Sequence, residues 1–149
     1  MAKTVKKKTK LRAIKKTIDG IKFDSTMEAN YYEHLKEEKR KGNIKEFELQ
    51  PRFLLLEDFK KYGRTIRKIE YISDFKVVYK DNTEKIIDVK GRETPDFKIK
   101  RKMFDMKYRD LTLQLIAYDT NLGWVDFDEL KKINSKKKRD KKKANSVEK

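Results

Sequence analysis

The sequence predicts an α/β domain, and three observations carry that prediction. The run Tyr71–Gly91, YISDFKVVYKDNTEKIIDVKG, reads as two strands rich in Val, Ile, Tyr and Phe around a turn at Asp81-Asn82. Helix starts stand on either side of it: Ser25 followed three residues later by Glu28, and Thr94 followed at once by Pro95. Leu111–Ile116, LTLQLI, alternates strictly and reads as a closing strand.

In chain order, Ile18–Phe23 is a short strand or turn that feeds the first helix. That helix runs to about Lys41, where Gly42-Asn43 stops it. Glu28 falls in the middle of the apolar stripe formed by Met27, Tyr31, Tyr32 and Leu35. Acids are rarely buried without a partner, so Glu28 is either a cap for the first turn or a carboxylate facing a metal. His34, at the stripe's edge, reads as a surface or packing residue. Ile44–Leu56 holds two alternating segments broken by Gln50-Pro51, so two strands or one bent strand are expected. Gln50 either faces a site or bonds the backbone. Lys60-Lys61-Tyr62-Gly63 is a turn, and Thr65 begins a long strand that carries Asp74. The second helix, Pro95 to about Tyr108, gathers Phe97, Phe104 and Tyr108 on one arc. Lys98, Arg101 and Lys102 gather on another, a face that is either a phosphate contact or plainly solvated. A short helix, Asp126–Ile133, follows Trp124 and covers the sheet edge.

Charge divides the chain into three. Residues 1–17 carry eight Lys/Arg and no acid, and residues 131–149 carry ten against two. Residues 18–130 balance at 23 of each sign, so the termini hold the whole net charge of +16. The expectation is a basic disordered arm over 1–17, a folded domain over 18–130 and a basic disordered tail over 131–149. Such tails suit a polyanion, since each neutralised phosphate releases counterions; solubilising tails or a membrane-surface patch are the bland alternatives. With no cysteine and one histidine, disulfides, thiolate sites, His-rich zinc sites and a serine triad are excluded. No secretory signal or membrane span is readable, which points to a cytoplasmic protein.

Side chains two apart on a strand share a face, so Asp88 and Lys90 project together and Ile87 and Val89 point into a core. An even register across the turn adds Asp74 to that face; an odd one removes it. Glu28, Asp74 and Asp88 are hard oxygen donors and suit Mg²⁺ or Mn²⁺ rather than zinc. Such an ion activates water for attack on phosphorus, with Lys90 orienting that water or stabilising charge on the phosphate. The alternative is an ordinary cross-strand ion pair.

Asp74, then Asp88-Val89-Lys90, with a helical glutamate upstream, resembles the PD-(D/E)XK nuclease superfamily. More narrowly, Asp19–Ser25, Leu49-Gln50-Pro51, Tyr71–Phe75, Asp88–Gly91 and Thr94-Pro95 resemble a family of small phage proteins. That family was long labelled as of unknown function and is placed among resolvase-like nucleases. The resemblance covers about residues 18–118. It implies a restriction-endonuclease-like αβββαβ core with a mixed central sheet flanked by helices. It implies metal at Asp74, Asp88 and Glu28, with Lys90 as the catalytic lysine. Ser73 stands where the superfamily's name has proline. The expected activity is Mg²⁺-dependent DNA endonuclease, structure-specific on branched recombination or replication intermediates such as Holliday junctions. A two-fold-symmetric junction favours a homodimer. The competing readings are a nuclease of other specificity and a non-catalytic nucleic-acid-binding protein with an inactive nuclease fold.

Overall fold

The computed structural model describes residues 15–147, so the part of the basic arm at 1–14 lies outside the described residues. The chain enters through a hairpin of β1 (Lys16–Ile18) and β2 (Ile21–Phe23). Ile18 and Ile21 pack against the main core and draw Lys16 and Thr17 into strand pairing. The expected arm over 1–17 therefore ends before Lys16. α1 (Thr26–Lys41) follows, and the Ser25 Oγ accepts the Glu28 N–H at 3.1 Å as its cap. Gly42, at φ 80°, takes the left-handed geometry that closes the helix and donates its N–H to the Lys39 carbonyl.

β3 (Ile44–Leu49) lies in the central sheet and β4 (Arg52–Leu56) does not; Gln50, at φ 50°, turns the chain between them. β5 (Phe59–Lys61) and β6 (Arg64–Ile66) form a hairpin, and β7 (Ile69–Ile72) returns to pair with β4. The chain then crosses back into the sheet as β8 (Phe75–Tyr79) and β9 (Glu84–Val89). The single long strand expected from Thr65 is thus broken, and Asp74 sits at the crossing, just before β8. β4 and β7 form a two-stranded ribbon, and both leave the sheet at one level, tied by Gln50 N–H to the Asp74 carbonyl at 2.9 Å and Ser73 N–H to the Pro51 carbonyl at 3.1 Å. A proline at 73 could not donate that second bond.

α2 (Pro95–Lys107), capped by Thr94, crosses to β10 (Thr112–Asp119). β11 (Gly123–Asp126) then forms a sheet edge and α3 (Phe127–Val147) ends the described chain. The sheet order is β11-β10-β9-β8-β3. β9 and β10 run parallel, and the other neighbours run antiparallel. The fold is α/β, and α1, β3, β8, β9, α2 and β10 make the restriction-endonuclease-like order αβββαβ around a mixed sheet. Trp124 lies in β11, just ahead of α3 as expected, and the helix begins at Phe127 rather than Asp126.

Two cores sandwich the sheet. One, under α1, contains Ala29, Tyr31, Leu35, Phe75, Val77 and Ile87; the other, under α2, contains Tyr71, Ile86, Phe97, Phe104, Leu113 and Leu115. Ile86 and Ile87 are both fully buried, so β9 is covered on both faces. The face that carries Asp88 is therefore packed, not an open ion-bearing surface.

α3 departs from expectation. It continues through the segment read as a disordered tail. Phe127 and Leu130 dock its first turns on the core. Extension from a docked turn adds one hydrogen bond per residue without a new nucleus, and Lys, Arg and Ala favour it. From Lys131 onward the helix is exposed. Among the described residues no helix is long and apolar enough to cross a membrane.

Candidate active site

The site forms where β8 begins and β9 ends. The antiparallel register pairs Phe75 with Ile87, which sets Asp74 opposite Asp88. This is the even register that brings the two carboxylates to one side. Asp74 Oδ2 accepts the Val89 N–H at 2.8 Å, and its carboxyl faces that of Asp88 within hydrogen-bonding reach. Asp88 is 3% exposed. Its Oδ2 accepts the Tyr71 hydroxyl at 2.8 Å and pairs with Lys90 Nζ at 2.9 Å. Lys90 Nζ also lies 4.0 Å from the Phe97 ring centre, so α2 braces the ammonium from its other side.

Electrostatics follow from that crowding. Burial, then the hydrogen bond and charge of Asp88, then Glu28, push the Asp74 carboxyl well above the ordinary carboxylate range. Burial also raises Glu28, with the Ser25 hydroxyl working against it and Asp24 and Asp88 adding to it. Burial and the charge of Asp88 push the Tyr71 phenol up, so it remains a proton donor to Asp88. Two acids face each other, and the shared need is a proton or a cation.

Glu28 comes from the opposite side of the sheet. With Gln50 and Asp74 it lines a small cavity of about 90 Å³. Its electrostatic neighbours include Asp88 and Lys90, yet among the described residues no three His, Cys, Asp or Glu side chains stand together as a ready ligand cage. The expected triad is therefore arranged as a facing pair with Glu28 apart. Gln50 does both things considered for it: it lines this cavity, and its N–H bonds the Asp74 carbonyl. His34 packs its ring near Tyr31 and Trp124.

The facing pair opens on a cavity of about 500 Å³ between β7 and α2, lined by Ile69, Tyr71, Asp74, Asp88, Lys90 and Lys100, among others. A pair of carboxylates beside open space fits Mg²⁺ or Mn²⁺, which take one or two carboxylates and keep several waters. The donor set offers no soft ligand, which disfavours zinc or copper.

The basic face expected on α2 is partly dismantled. Lys98 and Lys102 are exposed. Arg101 instead binds Asp128 at 2.7 Å and Glu93 at 3.5 Å, and Lys131 joins Glu93 at 3.1 Å. Its planar fork is used to fasten α3 to α2, leaving it unavailable to a phosphate. Sequence reasoning missed Tyr71 and Lys100. By pattern a tyrosine on a strand is ordinary core, and only the folded chain, which carries the end of β7 across to β9, reveals its hydroxyl bond to Asp88.

A search of curated proteins and of solved structures found no match. Residues 8–122 match the model of a family described as protein of unknown function, DUF1064. The matched span covers well over half of the chain and takes in α1, the ribbon, the facing carboxylates and α2, and the chain therefore belongs to the DUF1064 family.

Proposed function

We propose that this protein is a Mg²⁺-dependent DNA endonuclease of the PD-(D/E)XK kind, acting in the cytoplasm on branched recombination or replication intermediates. The observation that carries the reading is the Asp74–Asp88 pair with Lys90 at its side, buried yet opening on the cavity beside β7. An ion pair made only for stability does not need a second acid pressed against the first. Desolvating both carboxylates costs stability, and a divalent cation between them offsets it.

Asp74 and Asp88 would hold the ion, and Glu28, on the far side of Asp74, would add negative charge near it. When bound, Mg²⁺ supplies Lewis-acid polarisation of the phosphate and lowers the pKa of water. Tyr71 fixes the Asp88 carboxyl by donating to Oδ2, so the ligand's free lone pairs point one way. Lys90, gripped by Asp88 and Phe97, aims its ammonium at the cavity, where it stabilises charge that grows on the phosphate oxygens. Lys98 and the lysines of α3 hold flanking backbone phosphates, and a two-fold-symmetric junction would suit a homodimer.

The test is a side-by-side digestion of labelled duplex, single-stranded, flap and four-way-junction DNA with Mg²⁺ or with EDTA. The expected result is product only with the metal, greatest on the branched substrates. Metal-dependent cleavage of plain duplex alone would move the reading to a nuclease of other specificity. Tight binding without product under either condition would make the protein a binder.

A further inference from the structure

The ribbon that brings Tyr71 to the site continues away from it as β5 and β6, and there its chemistry changes. Phe59–Lys68 holds Lys60, Lys61, Arg64, Arg67 and Lys68 and no acid, although residues 18–130 as a whole are balanced. Lys68 pairs with Glu70 at 2.9 Å. The other four make no ion pair among the described residues. Cations this close repel one another, and folding alone gives no reason to gather them on one hairpin.

The tip is as informative. Tyr62 and Gly63 both have positive φ, 53° and 70°. That is the two-residue turn in which Asn-Gly is favoured and a bulky first residue is strained. Tyr62 is nonetheless there, 81% exposed, with the Lys61 ammonium 5.0 Å from its ring centre and no place in either core. Neither the turn nor solubility calls for a tyrosine. A solvent-facing ring among unpaired cations is what stacks on a nucleobase while neighbouring phosphates are neutralised. A two-stranded ribbon also fits the major groove of B-DNA. From Ile72, on the wall of the cavity, to Tyr62 the strand spans at most roughly 33 Å, about one turn of duplex.

We propose that the Phe59–Lys68 hairpin is a DNA-contacting arm. Lys60, Lys61, Arg64 and Arg67 hold phosphates along the duplex, and Tyr62 stacks on a splayed base at a branch point. The cleft at the ribbon's base meanwhile receives the backbone to be cut. The identity of the ligand as DNA rests on the nuclease reading of that cleft; the arm's charge and exposed ring do not.

The experiment uses the full chain in EDTA, so that binding is read without cleavage, on a labelled four-way junction and a matched duplex across a salt series. Tyr62→Asn installs a better turn residue, so its melting temperature is equal to or above the parent's. Its junction affinity falls about fivefold or more, the worth of one base stack, while its duplex affinity and salt slope are unchanged. Tyr62→Phe keeps the stack and binds like the parent. Changing Lys60, Lys61, Arg64 and Arg67 together to Gln lowers the slope of log K against log salt by about 2–4 on both DNAs. A folded quadruple variant with the parent's slope, beside a Tyr62→Asn protein with the parent's junction affinity, overturns the arm and leaves the hairpin as a solubilising or protein-docking feature. Digestion with Mg²⁺, run in parallel, separates the two readings. A parent that binds junctions through the arm but never cuts removes the nuclease alone. One that cuts while all arm variants bind normally removes the arm alone.

Discussion

Asp74 carries the most direct report on the site at the scale of single residues. Its folded-state pKa is raised by burial and by Asp88, so in the metal-free protein it keeps a proton that the unfolded chain releases above about pH 4. Its contribution to stability is therefore complete below that value and is lost as pH rises toward the folded-state pKa. Half-buried His34 acts in the opposite sense, since burial lowers its pKa and stability is lost as pH falls through the ordinary histidine range. Comparing the parent with Asp74→Asn separates the two. In EDTA, the Asn variant should gain in melting temperature on the parent between pH 5 and pH 8, and Mg²⁺ should stabilise only the parent, more so at higher pH. A parent whose melting temperature ignores Mg²⁺ at pH 8 would count against an ion at this pair. Asp88→Asn and Lys90→Ala should fail differently. Asn keeps shape but removes the charge that holds the ion, so cleavage should vanish and raised Mn²⁺ should restore part of it. Lys90→Ala should bind metal as well or better and lose about 10²–10³ in the chemical step. Single-turnover rates beside metal titration by calorimetry distinguish these outcomes, and an Asp88→Asn protein that cleaves like the parent would end the assignment.

Among the elements, α3 is held only at its first turns and is exposed from Lys131 onward. Phe127 and Leu130 dock it, and the cluster of Arg101, Glu93, Asp128 and Lys131 fixes its direction. Glu93 is nearly buried, its side chain only 8% exposed, so losing Arg101 leaves it with Lys131 as its one ion-pair partner among the described residues. Arg101→Met should cost about 1.5–3 kcal/mol of stability, the worth of a hydrogen bond to a charged group. Hydrogen exchange should show protection falling in the first turns of α3 while the central sheet is unchanged. Under the proposed function the same variant weakens DNA binding only through the loosened helix, and cleavage at saturating DNA survives. An Arg101→Met protein of parental stability would mean the cluster is only a surface ion-pair network, which contributes little.

For the molecule as a whole, the distribution of charge decides how affinity and chemistry divide. The basic excess lies in residues 1–17 and 131–149, and the catalytic candidates lie in the neutral body between them. Strand pairing at Lys16 and the docking of Leu130 set where the termini can be cut without harming the core. Removing 1–14 and 135–149 should weaken DNA binding strongly and flatten its salt dependence, leaving cleavage at saturating DNA largely intact. The residual slope should be that of the ribbon hairpin together with Lys98 and the first lysines of α3. A truncated protein that binds as tightly with the parent's slope would show that the terminal charge serves solubility only.

Local signals determined much of this protein before any tertiary contact. The Ser25 and Thr94 caps, the Gly42 stop and the alternation along Asp88 and Lys90 act within one turn of helix or two residues of strand, so α1, α2, β9 and the pairing of those two side chains were legible. The absence of cysteine and of all but one histidine likewise confined any metal to hard-ion chemistry. Only the tertiary structure decided the rest, because each remaining fact depends on partners far apart in sequence. The register that puts Asp74 opposite Asp88 is set by how the 80–83 turn closes, and one residue of slip would reverse it. Glu28 stands apart from the pair because α1 lies across the opposite face of the sheet. Arg101 is diverted from the basic face by Asp128, 27 residues away, and α3 extends because its first turns find a core to dock on. The ribbon leaves the sheet because Gln50 and Ser73 bond across to Asp74 and Pro51, an arrangement that neither segment specifies without the other.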